Sequence, residues 1–164
     1  MSDAFPAAVV YDCMVYVQAA FNGYGPAARC LGAAAAGRVR LVCSEAVLVE
    51  IADVLGRPRV LRRREHLTPA FLAGFLERIR QVATIVDPIP EHFSYPRDPN
   101  DEPYVNLAIA SGAVYLVSRD HDLLDLQDPA SPPGQELRLL APQLTILDPV
   151  QFLQRLPVLP EETP

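Results

Sequence analysis

Short apolar runs alternate along the chain with segments whose apolar residues recur at helical spacing. The runs are continuously apolar, as expected of parallel strands that helices cover on both faces. This alternation predicts an α/β fold, with a parallel five-stranded sheet inside a three-layer α/β/α arrangement. The predicted strands lie near residues 8–12, 39–43, 83–86, 114–118 and 144–147. The predicted helices lie near residues 14–20, 26–36, 45–56, 69–82, 103–111 and 149–155.

Residues that favour helix ends and turns agree with these boundaries. Ser44 and Asp101 stand where N-caps are expected, and Gly112 fits the C-terminal end of a helix. The proline-rich segment 87–100 and the segment 128–134 are predicted to be loops.

The 164 residues show no internal repeat and no compositional boundary. We therefore expect one domain over residues 1–156 and a frayed tail over 157–164. No apolar run approaches ~20 residues, so we expect no membrane span. Residues 1–3 lack the basic and apolar regions of a secretory signal, which favours a cytoplasmic protein. Three widely spaced cysteines are predicted to be buried free thiols.

The basic residues are all arginines, 14 in number, and the chain has no lysine. This excludes sites that need a lysine: the phosphate-binding loop, the Schiff-base enzymes, the usual aspartyl phosphatases and the receiver domains. The net charge of −6 argues against nucleic-acid binding driven by overall charge, although it permits a locally basic face.

Four acidic residues follow the boundaries of the predicted elements. Asp12 and Asp120 end apolar strands, Asp101 opens a helix, and Glu50 lies beside the apolar stripe of another helix. Each acid alone could be structural, as a helix cap, a strand end or a solvated side chain. Ligands of open α/β sheets bind beyond the carboxyl ends of the strands, where such acids would converge. Converging carboxylates favour a hard divalent cation, Mg²⁺ or Mn²⁺.

Several motifs resemble those of PIN domains, and more closely those of the PIN-family toxins of bacterial toxin–antitoxin pairs. The resemblance extends over roughly residues 8–150. The stretch from Asp101 through Ala108 and Gly112 to Leu124 is the most specific, and the first stretch is weak alone. The matching stretches are 9–12, 44–55, 97–102 and 101–124.

The resemblance implies a sheet of strand order 3-2-1-4-5, which places Asp12 against Asp120. It implies metal-dependent hydrolysis of RNA phosphodiesters, an antitoxin partner and a homodimer. The catalytic acids it implies are Asp12, Glu50, Asp101 and Asp120. We expect Asp12, Asp101 and Asp120 to bind the metal directly, and Glu50 to hold a water. The supporting residues that it implies are Ser118, Asp98 and Asp122.

One position departs from the family pattern. The family usually has Asp-Thr-Asn or Asp-Ser-Asn at the first acid, whereas this chain has Asp12-Cys13-Met14. A thioether cannot replace the hydrogen bonds of an asparagine amide. A catalytically weak or inactive module that binds RNA or protein is therefore the alternative interpretation.

A cluster of arginines lies between the second acid and the third. It can be interpreted as a rim that contacts RNA phosphates or as a solvated helical face. The cluster consists of Arg57, Arg59, Arg62, Arg63 and Arg64.

Overall fold

A computed structural model of the chain describes residues 6–157. Its five strands form one sheet in the order β3-β2-β1-β4-β5, and every neighbouring pair is parallel. This confirms the predicted fold class and strand order. The strands are β1 (Ala8–Tyr11), β2 (Arg40–Cys43), β3 (Thr84–Ile85), β4 (Tyr115–Val117) and β5 (Thr145–Leu147).

The helices that connect the strands agree closely with the predicted ones. The six that were predicted are α1 (Cys13–Phe21), α2 (Pro26–Ala35), α3 (Glu45–Leu55), α5 (Pro69–Val82), α6 (Glu102–Ser111) and α9 (Pro149–Arg155). The three that were not predicted are α4 (Pro58–Arg63), α7 (His121–Leu124) and α8 (Pro132–Leu140). A single 3-10 turn, Asp125–Gln127, joins α7 to the following loop.

The prediction of a loop over 128–134 was wrong at its C-terminal end. Helix α8 begins at Pro132, and the Ser131 side chain accepts a hydrogen bond from Gly134 N. Proline at the first helical position fits the start of a helix, because its missing N–H has no partner there in any case. Only Gly134 and Leu137 of α8 are buried, so the helix has too short an apolar stripe to be recognised.

Strand β1 lies at the centre of the sheet. All four of its residues are buried, and they pair with β2 on one side and β4 on the other. Helices lie over the sheet, so the core continues from the strands into α1, α3 and α6. The carboxyl ends of β1 and β4 therefore lie side by side at the middle of one sheet edge.

Three further predictions concern the cysteines, membrane spans and the C-terminal tail. All three cysteines are buried and free, as predicted. Within residues 6–157, none of the helices has the length and apolarity that crossing a membrane requires. The predicted tail, 157–164, lies outside the described residues apart from Pro157.

Candidate metal centre

The acids that follow β1 and β4 are brought together by the pairing of these strands. Tyr11 is in register with Val117, and the next residue, Asp12, donates its backbone N–H to Val117 O at 3.1 Å. Asp12 is 5% exposed, and its position between strand and helix makes it the N-cap of α1.

The hydroxyl of Ser118 links Asp12 to Asp120. Ser118 is fully buried; its Oγ donates to Asp12 Oδ2 and accepts the backbone N–H of Asp120 at 2.9 Å. The other oxygen of Asp12, Oδ1, accepts the N–H of Val15 at 3.0 Å. Asp12 is thus held by one bond at each oxygen, and one of them comes from Ser118, for which the resemblance implies a supporting role.

Four aspartates lie close enough together to hold one cation. One carboxylate oxygen from each lies within 4.8 Å of those of the other three. Two of the four are predicted site acids, and two are the predicted supporting residues. The group consists of Asp98, Asp101, Asp120 and Asp122. Asp12 and Glu50 stand outside this group.

Asp101 has the most unusual environment of the four. It occupies the N-cap position of α6, but its backbone is helical and its side chain accepts no capping hydrogen bond. The prediction that Asp101 caps this helix with its side chain was therefore wrong. The residue is 6% exposed, and its buried Oδ2 has no hydrogen-bond partner among residues 6–157. A buried carboxylate oxygen without a partner is costly, so this atom fits a position beside a cation.

The pKa values reflect burial and crowding. Burial, followed by the charges of Asp120 and Asp98, raises the pKa of Asp101 from 3.8 to about 7. Burial also raises the pKa of Asp12 to about 6, although the hydrogen bonds from Ser118 and Val15 oppose the rise. Both carboxyls are poised to lose a proton when a cation arrives.

A single arginine neutralises part of the group. Arg97 contacts Asp122 Oδ1 through Nε at 2.7 Å and Asp125 Oδ2 through a terminal nitrogen at 2.7 Å. The hydroxyl of Tyr95 donates to the backbone oxygen of Asp122 at 2.8 Å. Sequence reasoning gave neither Tyr95 nor Arg97 a role. The sequence offered one indication for Arg97: it lies next to Asp98 in the stretch 97–102, which matches the family.

Glu50 reaches the acids from a different helix. It lies on the exposed side of α3, and its Oε2 accepts the hydroxyl of Tyr104 at 2.5 Å. The charge of Glu50 contributes to the raised pKa of Asp12, as does the charge of Asp120. The sequence analysis gave Tyr104 no part in the site, so its bond to Glu50 was missed.

The donor set fits a hard divalent cation. All four grouped side chains offer carboxylate oxygens, the ligands that Mg²⁺ and Mn²⁺ prefer over sulfur or imidazole. The unpartnered Oδ2 of Asp101 would gain a partner in such a site. The residues present therefore suit a divalent metal ion.

The five arginines of the predicted rim lie at the end of α3 and along α4. Arg57 pairs with Asp53 at 3.0 Å, and the guanidinium of Arg64 lies 3.5 Å from the centre of the Phe21 ring. In the part of the chain that the structure describes, Arg59, Arg62 and Arg63 are exposed and form no ion pair. Three of the five guanidinium groups are thus free to contact an anionic ligand.

The comparison with known families identifies the fold. The family profile described as "PIN domain" matches residues 8–122, which is well over half of the chain. No curated protein and no solved structure matches the chain. The profile spans the first four strands and the acids from Asp12 to Asp122. With its strand order of 3-2-1-4-5 and its cluster of four aspartates, this chain belongs to the PIN domain family.

Proposed function

We propose that this protein is an endoribonuclease that uses Mg²⁺ or Mn²⁺ to hydrolyse RNA phosphodiesters. We further propose that it is the toxin of a bacterial toxin–antitoxin pair, that it acts in the cytoplasm as a homodimer, and that a cognate antitoxin restrains it. PIN domains are typically metal-dependent nucleases, and this family membership supports the reaction class. The observation that carries the proposal is the group of four aspartates, one of which, Asp101, has a buried oxygen without a hydrogen-bond partner among the described residues. RNA as the substrate, the toxin role and the partners rest on the resemblance.

Different acids have different roles in the proposed metal site. Asp101 and Asp120 would hold the cation, with Asp98 and Asp122 beside them. Asp12 is the third predicted ligand, and Ser118 fixes it relative to Asp120. When bound, a divalent cation lowers the pKa of water and offsets the charge of the phosphate.

In the chemistry we propose, Glu50 acts near Asp12, since its charge contributes to the raised pKa of Asp12. Its carboxylate accepts a hydrogen bond from water and orients that water towards the phosphorus. Arg97 remains paired with Asp122 and Asp125, which limits the repulsion that the acids exert on the incoming phosphate.

Cleavage of RNA by purified protein tests the reaction. We expect turnover in Mn²⁺ or Mg²⁺, none in excess chelator, and a loss of at least about 100-fold in each of Asp12→Asn, Asp101→Asn and Asp120→Asn. Glu77→Gln is a matched control, because it removes one negative charge from an exposed position of α5 outside the acid group. Undiminished cleavage by Asp101→Asn, or cleavage in chelator, contradicts the proposal.

The toxin role has a separate test in cells. Induced expression of the parent protein should arrest growth, and expression of Asp101→Asn at the same level should not. Growth arrest by both proteins would assign the effect to something other than metal-dependent cleavage.

Met14 supports the second candidate, a module that binds RNA without cutting it. Met14 is 45% exposed at the start of α1, two residues after Asp12, and its thioether offers no strong hydrogen bond there. We expect Met14→Asn to raise RNA turnover or Mn²⁺ affinity, because the amide restores a donor and an acceptor beside Asp12. A folded variant in which neither quantity changes shows that Met14 does not limit the site. RNA binding without cleavage, in both the parent and the variant, would favour the module.

A further inference from the structure

Tyr104 joins two helices at the edge of the acid site. It lies in the first turn of α6, is 3% exposed, and donates its hydroxyl to Glu50 on α3. The donor and acceptor atoms are 2.5 Å apart, a short distance that is typical of hydrogen bonds to ionised carboxylates.

Without this bond, the Glu50 side chain would have little to fix it. Glu50 is exposed, and among residues 6–157 the Tyr104 hydroxyl is the one hydrogen-bond partner of its carboxylate. A free glutamate side chain occupies many rotamers, and holding it in one costs conformational entropy. A buried tyrosine on a neighbouring helix supplies a fixed donor for one of these rotamers.

The same turn of α6 also carries Asp101. The backbone N–H groups of Tyr104 and Val105 donate to Asp101 O at 3.2 and 3.3 Å. These bonds fix the backbone of Tyr104 relative to Asp101, and the Tyr104 hydroxyl ties Glu50 to the same turn. The short first turn of α6 thus sets the position of Glu50 relative to the four aspartates.

We propose that Tyr104 is a positioning residue, whose hydroxyl holds Glu50 in the orientation that Glu50 needs to bind the waters of the cation. This inference rests on the proposed function. It assigns Tyr104 a role through Glu50 rather than direct contact with the cation or RNA.

The Tyr104→Phe variant removes the hydroxyl and keeps the ring in the core. We expect its Mn²⁺ affinity, measured by calorimetric titration, to fall about tenfold, a typical effect of removing a hydrogen bond to a metal-site side chain. Tyr11→Phe is the matched control, because the Tyr11 hydroxyl is also buried and donates to Cys30 O at 2.8 Å, outside the acid site. A purely structural loss would lower the melting temperature of both variants and leave the Mn²⁺ affinity of both unchanged.

A double-mutant cycle shows whether Tyr104 acts through Glu50. In a Glu50→Ala background, Tyr104→Phe should cause no further loss of Mn²⁺ affinity, because the side chain that it positions is gone. Losses that multiply in the double variant would show that Tyr104 acts independently, which overturns the proposal. Equal Mn²⁺ affinity in the parent and in Tyr104→Phe also overturns it.

RNA cleavage gives an additional measurement. Tyr104→Phe should lower kcat and leave the KM for RNA nearly unchanged, because Glu50 orients water rather than RNA. A parent that binds Mn²⁺ but leaves RNA intact refutes the proposed ribonuclease, whereas weaker Mn²⁺ binding by Tyr104→Phe would still support the positioning role.

Discussion

Asp101 combines features that a residue serving stability alone would not show. Its carboxylate is buried, crowded by three other aspartates, and unpartnered at Oδ2, and its pKa is raised to about 7. These features oppose folding of the metal-free protein, because burial of an unpaired charge is unfavourable. The binding of a cation would turn each of them into a favourable interaction. The residue is thus arranged for a ligand at the expense of the metal-free fold.

We expect Asp101→Asn to stabilise the metal-free protein at pH 8. The amide removes a repelled negative charge and can donate to the neighbouring carboxylates. The melting temperature in chelator should rise by about 3 °C for each kcal/mol of repulsion relieved. At pH 5 the gain should be smaller, because the parent carboxyl is then protonated in the folded state.

Asp120→Asn provides the comparison for this prediction, since Asp120 accepts a hydrogen bond from Asp122 N and is less buried. It should stabilise the metal-free protein less than Asp101→Asn does. If Asp101→Asn melts at a lower temperature than the parent in chelator at pH 8, the charge of Asp101 does not destabilise the metal-free protein.

Helix α4 carries three exposed arginines that form no ion pair among the described residues. Because Arg57 and Arg64 already have partners, Arg59, Arg62 and Arg63 are the ones available to RNA phosphates. Replacing these three with glutamine should weaken RNA binding similarly across sequences and flatten its salt dependence. Binding can be measured by fluorescence anisotropy at several salt concentrations, with an Asp101→Asn background to prevent cleavage.

Replacement of Arg29, Arg78 and Arg138, three exposed arginines on other helices, is the matched control for charge. If the two triple variants show the same loss of RNA affinity and the same change in its salt dependence, α4 contributes no more to RNA binding than the other helices do. An unchanged slope in the α4 variant would make this helix a solvated face.

At the scale of elements, the sequence was informative wherever an apolar period was long. The predicted bounds of the five strands and of six helices agree with the structure to within one residue at each end. Helices α4 and α7 are short, and α8 is mostly exposed. Few of their residues are buried, so the sequence shows little apolar periodicity there. The strand order came from the resemblance, because a pattern along the chain does not say which strands pair.

The candidate site was predictable in its residues but not in its geometry. The sequence places Asp12 and Asp120 at strand ends, and the resemblance adds Asp98 and Asp122. The sequence does not show that Asp101 has a helical backbone and leaves its helix uncapped, since that depends on the folded conformation. The contacts of Tyr104 and Arg97 were missed for the same reason: each joins residues more than twenty positions apart.

At the scale of the whole molecule, the acid site makes the free energy of unfolding depend on pH. The pKa values of Asp12 and Asp101 are raised from 3.8 to about 6 and about 7 in the folded state. The folded protein therefore binds more protons than the unfolded chain between these pKa values and 3.8. It follows that the free energy of unfolding of the metal-free protein falls as pH rises through this range.

We expect the chelated protein to melt at a higher temperature at pH 5.5 than at pH 8. Mn²⁺ should raise the melting temperature more at pH 8, because metal ligands must be deprotonated and the ion binds only the folded state. Thermal melts at the two pH values, with and without Mn²⁺, measure both effects. The Asp101→Asn variant should show a weaker response to pH. If Mn²⁺ has the same effect at both pH values, these two carboxyls do not control metal binding.

The placement of β1 between β2 and β4 also has a consequence for synthesis of the protein. Strand β1 is synthesised before its neighbour β4, which lies more than 100 residues further along, as do the acids Asp120 and Asp122. Closing so large a loop is slow and costs entropy, so the pairing of β1 with β4 is a late event of folding. A chain that ends before β4 thus lacks Asp120 and Asp122 of the group of four aspartates, whatever local helices it has formed. The group of four aspartates is therefore complete only after Asp122 has been synthesised and β4 has paired with β1.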